Sequence, residues 1–315
     1  MFRAFGGVVI LLLLVALAGL AAHYFISPAK PPRPAAPSKL PPAAKTPAVK
    51  APAARQPVVK EPVAEIPTFE IYPQKEVPPE KKSVKPSPPD EKQLPQVAII
   101  IDDLGYDRKL AKKLADLDAV LTFSILPYGP FTDSIASMLN ARGLEIMLHL
   151  PMEPMEYPLV NPGPGTLLTS MTPDQLISQL KENLNAVPYI KGVNNHMGSK
   201  MTAESSQIYQ IFSVLKERKL FFIDSRTTPR TLCKPSARLF QILFAQRDVF
   251  LDHLQDADFI RRQVKELVRI ARQNGYAVGI GHPHLITYTI LREMLPELQT
   301  QVKLVPASEI VHHVG

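Results

Sequence analysis

The chain has 315 residues, a net charge of +7 and a single cysteine, Cys233. Residues 28–96 carry a net charge of +5, whereas residues 97–315 are close to neutral, which argues against a nucleic-acid-binding domain. One cysteine excludes an intramolecular disulfide and a metal site built from several thiolates, and the segment from residue 97 onward is long enough to bury a substantial core.

Two segments precede this domain. Residues 5–26 are almost wholly apolar and have the length of one membrane-spanning helix, so residues 1–27 are predicted to be a signal peptide or a membrane anchor. Residues 28–96 contain 19 of the 33 prolines. Because proline fixes φ and removes a hydrogen-bond donor, this segment is predicted to be a disordered, extended linker.

Strand-like and helix-like segments alternate from residue 97 to the end of the chain. Continuous apolar runs such as 97–101 are typical of parallel strands that are buried on both faces. Strands are predicted at 97–103, 120–126, 144–150, 190–196, 220–224, 249–253, 276–282 and 302–305, and helices at 107–117, 131–142, from 172 onward, 203–219, 256–274 and 285–299. The alternation predicts an α/β fold, a distorted (β/α) barrel of seven or eight units. An open doubly wound sheet is the alternative, but no Gly-rich phosphate loop follows the first strand to support it.

Residues that can bind a metal or move a proton stand at the ends of most of these strands. They are Asp102, Asp103, His149, Asn195, His196, Asp224, Asp252, His253, His282 and His284. In a βα barrel the C-terminal ends of the strands converge on one mouth, where active sites lie. The sequence therefore predicts an enzyme with a metal site at this mouth.

The adjacent pair Asp102 and Asp103 ends the first buried strand. One carboxylate that binds a divalent ion beside one that stays free suits hydrolysis, because the free carboxylate can serve as general base. His149 and His196 end two other apolar runs. One such histidine is usually a packed core residue, but two at equivalent strand ends, with Asp103 on a third, favour an Asp-His-His site for Zn²⁺ or another divalent metal.

His282 and His284 flank a proline that stiffens the turn and would fix an imidazole for proton donation. The sequence leaves open which of the two histidines donates the proton. Asp224 is predicted either to orient a catalytic histidine or to pair with Arg226. The Asp252–His253 pair is the weakest candidate, because a simple turn would have the same sequence.

Five motifs follow one another along the domain. They are IDDLG at 101–105, HLPMEP at 149–154, NNHMGS at 194–199, FIDSRT at 222–227 and GIGHPH at 279–284. In this order and at these separations they resemble the divergent polysaccharide deacetylases, a branch of the metal-dependent carbohydrate esterases. The likeness covers essentially all of residues 97–315 and implies a catalytic domain with a barrel of the polysaccharide deacetylase type.

The resemblance implies a set of metal ligands. Asp103 corresponds to the ligand of the aspartate pair, and His149 to the first of two histidines. Better-known deacetylases place the second histidine four residues later, where this chain has Glu153. The third ligand is therefore either Glu153 or His196, and we favour His196 because imidazole suits zinc.

The resemblance also implies the groups that move protons. Asp102 corresponds to the base, and His282 or His284 to the acid, whereas the arginine that steadies the base has no clear match. The implied reaction is the removal of N- or O-acetyl groups from an envelope polysaccharide such as peptidoglycan. The alternative is a catalytically altered barrel that binds a glycan or an envelope protein.

The apolar segment and the Pro-rich linker resemble those of bacterial envelope members of the family. The expected location is the bacterial cell envelope, with a periplasmic domain that is either anchored in the inner membrane through residues 1–27 or secreted after signal cleavage. The expected partners are the polysaccharide and, through that segment, the membrane; no nucleic acid is expected.

Overall fold

A computed structural model describes residues 94–315 of the chain. The predicted signal or anchor segment, residues 1–27, and the predicted linker up to residue 93 lie outside the described residues. Within residues 94–315, no helix has both the length and the apolar character needed to cross a membrane.

The described part of the chain contains ten strands and seven α-helices that largely alternate. The strands are β1 Gln96–Leu104, β2 Thr122–Ile125, β3 Glu145–Met152, β4 Gly192–Met197, β5 Phe221–Asp224, β6 Leu243–Gln246, β7 Val249–Phe250, β8 Tyr276–Gly281, β9 Lys303–Leu304 and β10 His312–His313. The helices are α1 Arg108–Ala115, α2 Thr132–Ala141, α3 Pro173–Ala186, α4 Ser205–Glu217, α5 Cys233–Phe240, α6 Ala257–Asn274 and α7 Leu285–Gln301.

The strands form one sheet in the order β10-β6-β5-β4-β3-β2-β1-β8-β7, with β9 beside β1, and only β10 is antiparallel. β6 and β7 are separated by Arg247 and Asp248, whose backbone N–H groups donate to Asp224 O in β5 and to Val278 O in β8. Residues 243–250 thus pair with β5 first and with β8 afterwards. This switch curls the sheet into an incomplete, distorted barrel, so the predicted fold is confirmed.

β1 is buried on both faces, as the sequence predicts for a central parallel strand. Val97, Ile99 and Ile101 pack into the large cluster that includes the helices. Ala98 and Ile100 pack into a second cluster, which contains no residue of the seven helices but includes Val305, Ala307 and Ile310. That C-terminal segment therefore fills the barrel from inside, near the end opposite to the C-terminal ends of the strands.

The structure corrects two details of the prediction. The strand predicted at 249–253 has only two residues in β7, because the chain turns away after Leu251 N–H donates to Ile280 O. Helix α5 and strand β6 were not predicted. The buried side of α5 consists of Cys233, Ser236 and Ala237, which are too small to give a clear apolar periodicity.

Candidate metal centre and active site

Three buried side chains converge at the C-terminal ends of β1, β3 and β4. Asp103 Oδ1 lies 3.1 Å from His149 Nε2 and 3.0 Å from His196 Nδ1, and these two nitrogens are 3.1 Å apart. None of the three residues is more than 5% exposed. The structure thus brings together one donor atom from each of the three residues that the sequence predicts as metal ligands.

Irregularity in β1 explains how two adjacent aspartates reach the same centre. The pairing of β1 with β2 shifts register between Ile101 and Leu104, and Asp103 has a left-handed backbone with φ 55°. In a regular strand, neighbouring side chains would point to opposite faces. The register shift and the left-handed residue remove this alternation, so Asp102 and Asp103 both lie next to His149.

The donor set fits a divalent metal ion. Asp103 Oδ1 is buried and close to both imidazoles, yet it receives no hydrogen bond of good geometry from any of residues 94–315. Burial opposes its charge, but His196 and His149 outweigh that effect and hold the pKa of Asp103 well below its usual value. A buried, charged carboxylate beside two imidazoles is suited to a bound cation and leaves coordination positions for water and substrate.

One buried amide, Asn194, connects the metal centre to the neighbouring carboxylate. Its Oδ1 accepts a hydrogen bond from Ser124 Oγ at 2.5 Å and lies 2.9 Å from His149 Nδ1. Its Nδ2 donates to both carboxylate oxygens of Asp102, at 2.8 and 3.0 Å. Because Nδ1 of His149 donates to Asn194, Nε2 is the nitrogen that remains for a metal ion beside Asp103.

Asp102 is the carboxylate of the pair that stays outside the three-residue cluster. Its Oδ2 is 3.7 Å from His149 Nε2, and the residue is 2% exposed. Burial raises the pKa of Asp102 above its ordinary value, although His149 and His282 act in the opposite direction. A raised pKa makes this carboxylate a stronger proton acceptor, as its predicted role of base requires.

His282, the residue directly after β8, faces Asp103, with Nε2 3.9 Å from Asp103 Oδ2. Its Nδ1 lies 2.8 Å from Asp252 Oδ1, and its backbone N–H donates to Asp252 Oδ2, which also accepts from Thr287 Oγ1. Burial disfavours the charged imidazole, but Asp252 outweighs it and raises the pKa of His282 to about 9. His284 is only half-buried, at the start of α7, so the geometry favours His282 as the proton donor.

The structure changes the roles of two aspartates. The interpretation that Asp224 orients a histidine is wrong, because its oxygens accept hydrogen bonds from the backbone N–H of Arg226 and from Thr231 Oγ1. That backbone bond is also the contact that Asp224 makes with Arg226. Asp252, which sequence reasoning ranked lowest, is instead the fully buried carboxylate that holds His282.

The chain is similar to several known proteins. Residues 99–311 match the family model of the divergent polysaccharide deacetylases. The chain belongs to this family. It is 33% identical to Escherichia coli K12 YibQ over 218 residues, 69% of this chain and 67% of YibQ. It is 30% identical to a Haemophilus influenzae protein over 210 residues, 67% of this chain and 74% of that protein. The crystal structure of ATU2773 from Agrobacterium tumefaciens C58 matches with a TM-score of 0.67 at 27% identity, covering 70% of this chain and 90% of that one.

In this member of the family, the carboxylate of Glu153 binds partners outside the group formed by Asp103, His149 and His196. Its carboxylate accepts hydrogen bonds from Lys200 Nζ at 2.6 Å and from Thr169 N and Oγ1 at 2.5 and 2.7 Å. Burial opposes its charge, but Lys200 and Thr169 hold the pKa of Glu153 below its usual value. Glu153 O also accepts from Met201 N, which ties the end of β3 to the loop after β4. Of the two alternatives for the third ligand, the structure therefore brings His196 to the centre.

Sequence reasoning missed the role of Asn194, although this residue begins the polar run Asn-Asn-His at the end of a buried strand.

Asn194→Ala is expected to weaken zinc binding by roughly 10- to 100-fold, because partners that orient a ligating histidine contribute about this much to affinity. Titration of the chelated protein with zinc measures the change. Asn183→Ala is the matched control, since Asn183 is equally buried but bonds to Gly165 O, away from the centre. Equal weakening in both variants would contradict the assigned role.

Proposed function

We propose that this domain is a zinc-dependent hydrolase that removes N- or O-acetyl groups from an envelope polysaccharide such as peptidoglycan. The observation that carries the proposal is the juxtaposition, within one buried cluster, of three potential ligands, a separate carboxylate and a histidine held by its own aspartate. Family membership supports a carbohydrate substrate and acetyl removal.

Asp103, His149 and His196 are the residues that would hold the metal. When bound, the ion would supply Lewis-acid activation of the acetyl carbonyl and of a water molecule. Asp102 accepts the proton of the attacking water, and its burial beside the cluster makes it a strong acceptor. The products of the complete reaction are acetate and the free amine or hydroxyl of the sugar.

His282 donates the proton that the sugar nitrogen or oxygen needs as its bond to the acetyl carbon breaks. Asp252 binds Nδ1 of His282, so Nε2 is the atom that faces the reacting group. Asn194 keeps both oxygens of Asp102 in place. Asp102 approaches the cluster at His149 and His282 approaches it at Asp103, so one proton can be accepted while another is donated.

The proposed acid predicts the alkaline side of the pH–rate profile. The rate should fall as pH rises through the folded-state pKa of His282, which is about 9, because only the protonated imidazole can donate. A metal ion bound beside Asp103 would add positive charge and lower the pKa of His282, so this fall in rate, the alkaline limb of the profile, would lie at lower pH.

Asp252→Asn removes the main charge that raises the pKa of His282, so the alkaline limb should move to lower pH by roughly 1–3 units.

Asp224→Asn is the control for this profile, because Asp224 is an equally buried aspartate that bonds to no histidine of residues 94–315. Its alkaline limb should coincide with that of the wild-type chain. A profile without an alkaline limb, or the same displacement in both variants, would contradict the role of His282.

We also propose that the domain works in the bacterial periplasm, with residues 1–27 as its anchor or its cleaved signal. The composition of residues 28–96 supports this arrangement, since 19 prolines favour an extended chain, which at ~3.1 Å per residue would reach at most on the order of 200 Å. That length is sufficient to carry the domain from a membrane surface to a cell-wall polymer.

Acetate release tests the proposed function. Metal-loaded and chelated samples of the full chain are incubated with acetylated cell-wall fragments, and free acetate is measured over time. We expect release only from the metal-loaded protein. Tight glycan binding without acetate from either sample would favour the altered, glycan-binding barrel instead.

A further inference from the structure

Two arginines at the C-terminal ends of β5 and β6 form no ion pair within residues 94–315. Arg247 is 8% exposed, and its Nε and Nη2 donate to Ser225 O at 2.8 Å and Arg226 O at 3.0 Å. The Arg226 side chain donates to Gln246 Oε1 at 3.3 Å. Both guanidinium groups are therefore bonded to neutral oxygens only.

Arg247 lies near both the proposed base, Asp102, and the proposed acid, His282. Ser225, whose carbonyl it binds, accepts a hydrogen bond from Asn194 Nδ2 at 3.3 Å, and Asn194 binds the proposed base. On its other side, the Arg247 guanidinium lies 4.8 Å from the centre of the Phe250 ring, and this ring packs edge-on against His282 at 5.1 Å. Arg247 therefore lies between a contact of the base and a contact of the acid.

The positive charges of Arg226 and Arg247 favour the binding of an anion. Burial lowers the pKa of Arg247 to about 10, and the like charge of Arg226 acts in the same direction. Asp224 partly offsets the two charges, but its oxygens are occupied by the Arg226 N–H and by Thr231. Adjacent cations without an ion pair are costly in a buried setting, and a bound anion removes that cost.

The guanidinium of Arg247 can still donate. Among the described residues, Nη1 of Arg247 makes no hydrogen bond. It is not one of the fully buried side-chain atoms that lack a partner, so it is accessible to solvent. The two main-chain carbonyls and the Phe250 ring fix the plane of the group. A fixed planar fork matches the oxygens of a carboxylate or a phosphate better than a flexible ammonium would.

We propose that Arg226 and Arg247 form an anion-binding subsite beside the metal centre, which takes a carboxylate or phosphate group. If the bound anion belongs to the substrate, the substrate is an acetylated polysaccharide with acidic substituents. That part of the inference rests on the proposed function. Anion binding itself does not depend on catalysis and is testable without turnover.

Calorimetric titration of the chelated full chain with inorganic phosphate at low ionic strength tests the subsite directly. We expect saturable binding that Arg247→Gln and Arg226→Gln each weaken about 10-fold or more, because each removes charge-assisted hydrogen bonds. Arg226 is the more exposed of the two and bears only one side-chain bond, so its variant remains informative if Arg247→Gln unfolds. Arg230→Gln, an exposed arginine of the same loop, should bind phosphate like the wild type.

Oligosaccharides then identify the source of the anion. Acetate release is compared on a neutral N-acetylglucosamine oligomer, on an oligomer with carboxylates from N-acetylmuramic acid, and on a phosphorylated oligomer. Arg226→Gln should raise KM about 10-fold on the acidic oligomer that the subsite accepts and leave the neutral one unchanged. Equal phosphate binding by wild type and both variants would overturn the subsite. Arginine-dependent phosphate binding with no acetate from any oligomer would leave the subsite standing and defeat the proposed function.

Discussion

The His149→Ala protein is expected to bind no stoichiometric zinc, whereas the wild-type chain should bind about one ion per molecule. His149 Nε2 is one of three converging donor atoms, and two remaining donors are too few for a stable zinc site. Asp103, His149 and His196 are the one group of this kind found within residues 94–315. Elemental analysis after dialysis against trace zinc measures the stoichiometry.

The matched control is Glu153→Gln, at the position where better-known deacetylases keep a histidine. Glu153 binds Lys200 and Thr169 and not the cluster, so its variant should retain the wild-type zinc content. Thermal unfolding of both variants confirms that each is folded. Zinc retained in His149→Ala, or lost in a folded Glu153→Gln protein, would contradict the ligand assignment.

Asp102→Asn is expected to lower kcat by about 10²- to 10⁴-fold while the zinc content stays unchanged, because general-base catalysis contributes on this order. The amide has the shape of the carboxylate and can still accept from Asn194, but it cannot take a proton from water. Asp102 is not one of the three converging donors, so the metal site should persist. The initial rate of acetate release and the zinc content are measured on the same sample.

The reference for this variant is Asp103→Asn, which alters the neighbouring residue of the pair. It weakens a metal donor and should lose activity together with zinc, whereas Asp102→Asn loses activity alone. This difference separates the two roles within one dipeptide. A kcat of Asp102→Asn within a few-fold of wild type would contradict the assignment of the base.

The parts of the fold that depend on local chemistry were predictable from sequence. Thr172 caps α3 through a capping box, and Pro173 occupies the first helical turn, as their residue types indicate. The three donor residues were also predictable, since side chains at the ends of adjacent parallel strands must approach one another. His149 and His196 satisfy this condition in the ladder between β3 and β4.

Other roles depend on register and could not be predicted. Asp252 reaches His282 because β7 pairs with β8 through Phe250 and Ile280, which sets the two following turns side by side. Residues 249–253 alone look like the end of an ordinary strand. The position of Arg247 likewise depends on the point where the chain stops pairing with β5 and starts pairing with β8, a feature that local periodicity does not encode.

The most direct measurement of the central claim is the rate of acetate release from acetylated cell-wall fragments as chelated protein is titrated with zinc. The account predicts no release without metal, a rate that rises in proportion to added zinc, and a plateau at about one equivalent per chain. A rate that is independent of zinc, or no acetate at any zinc concentration, would contradict it.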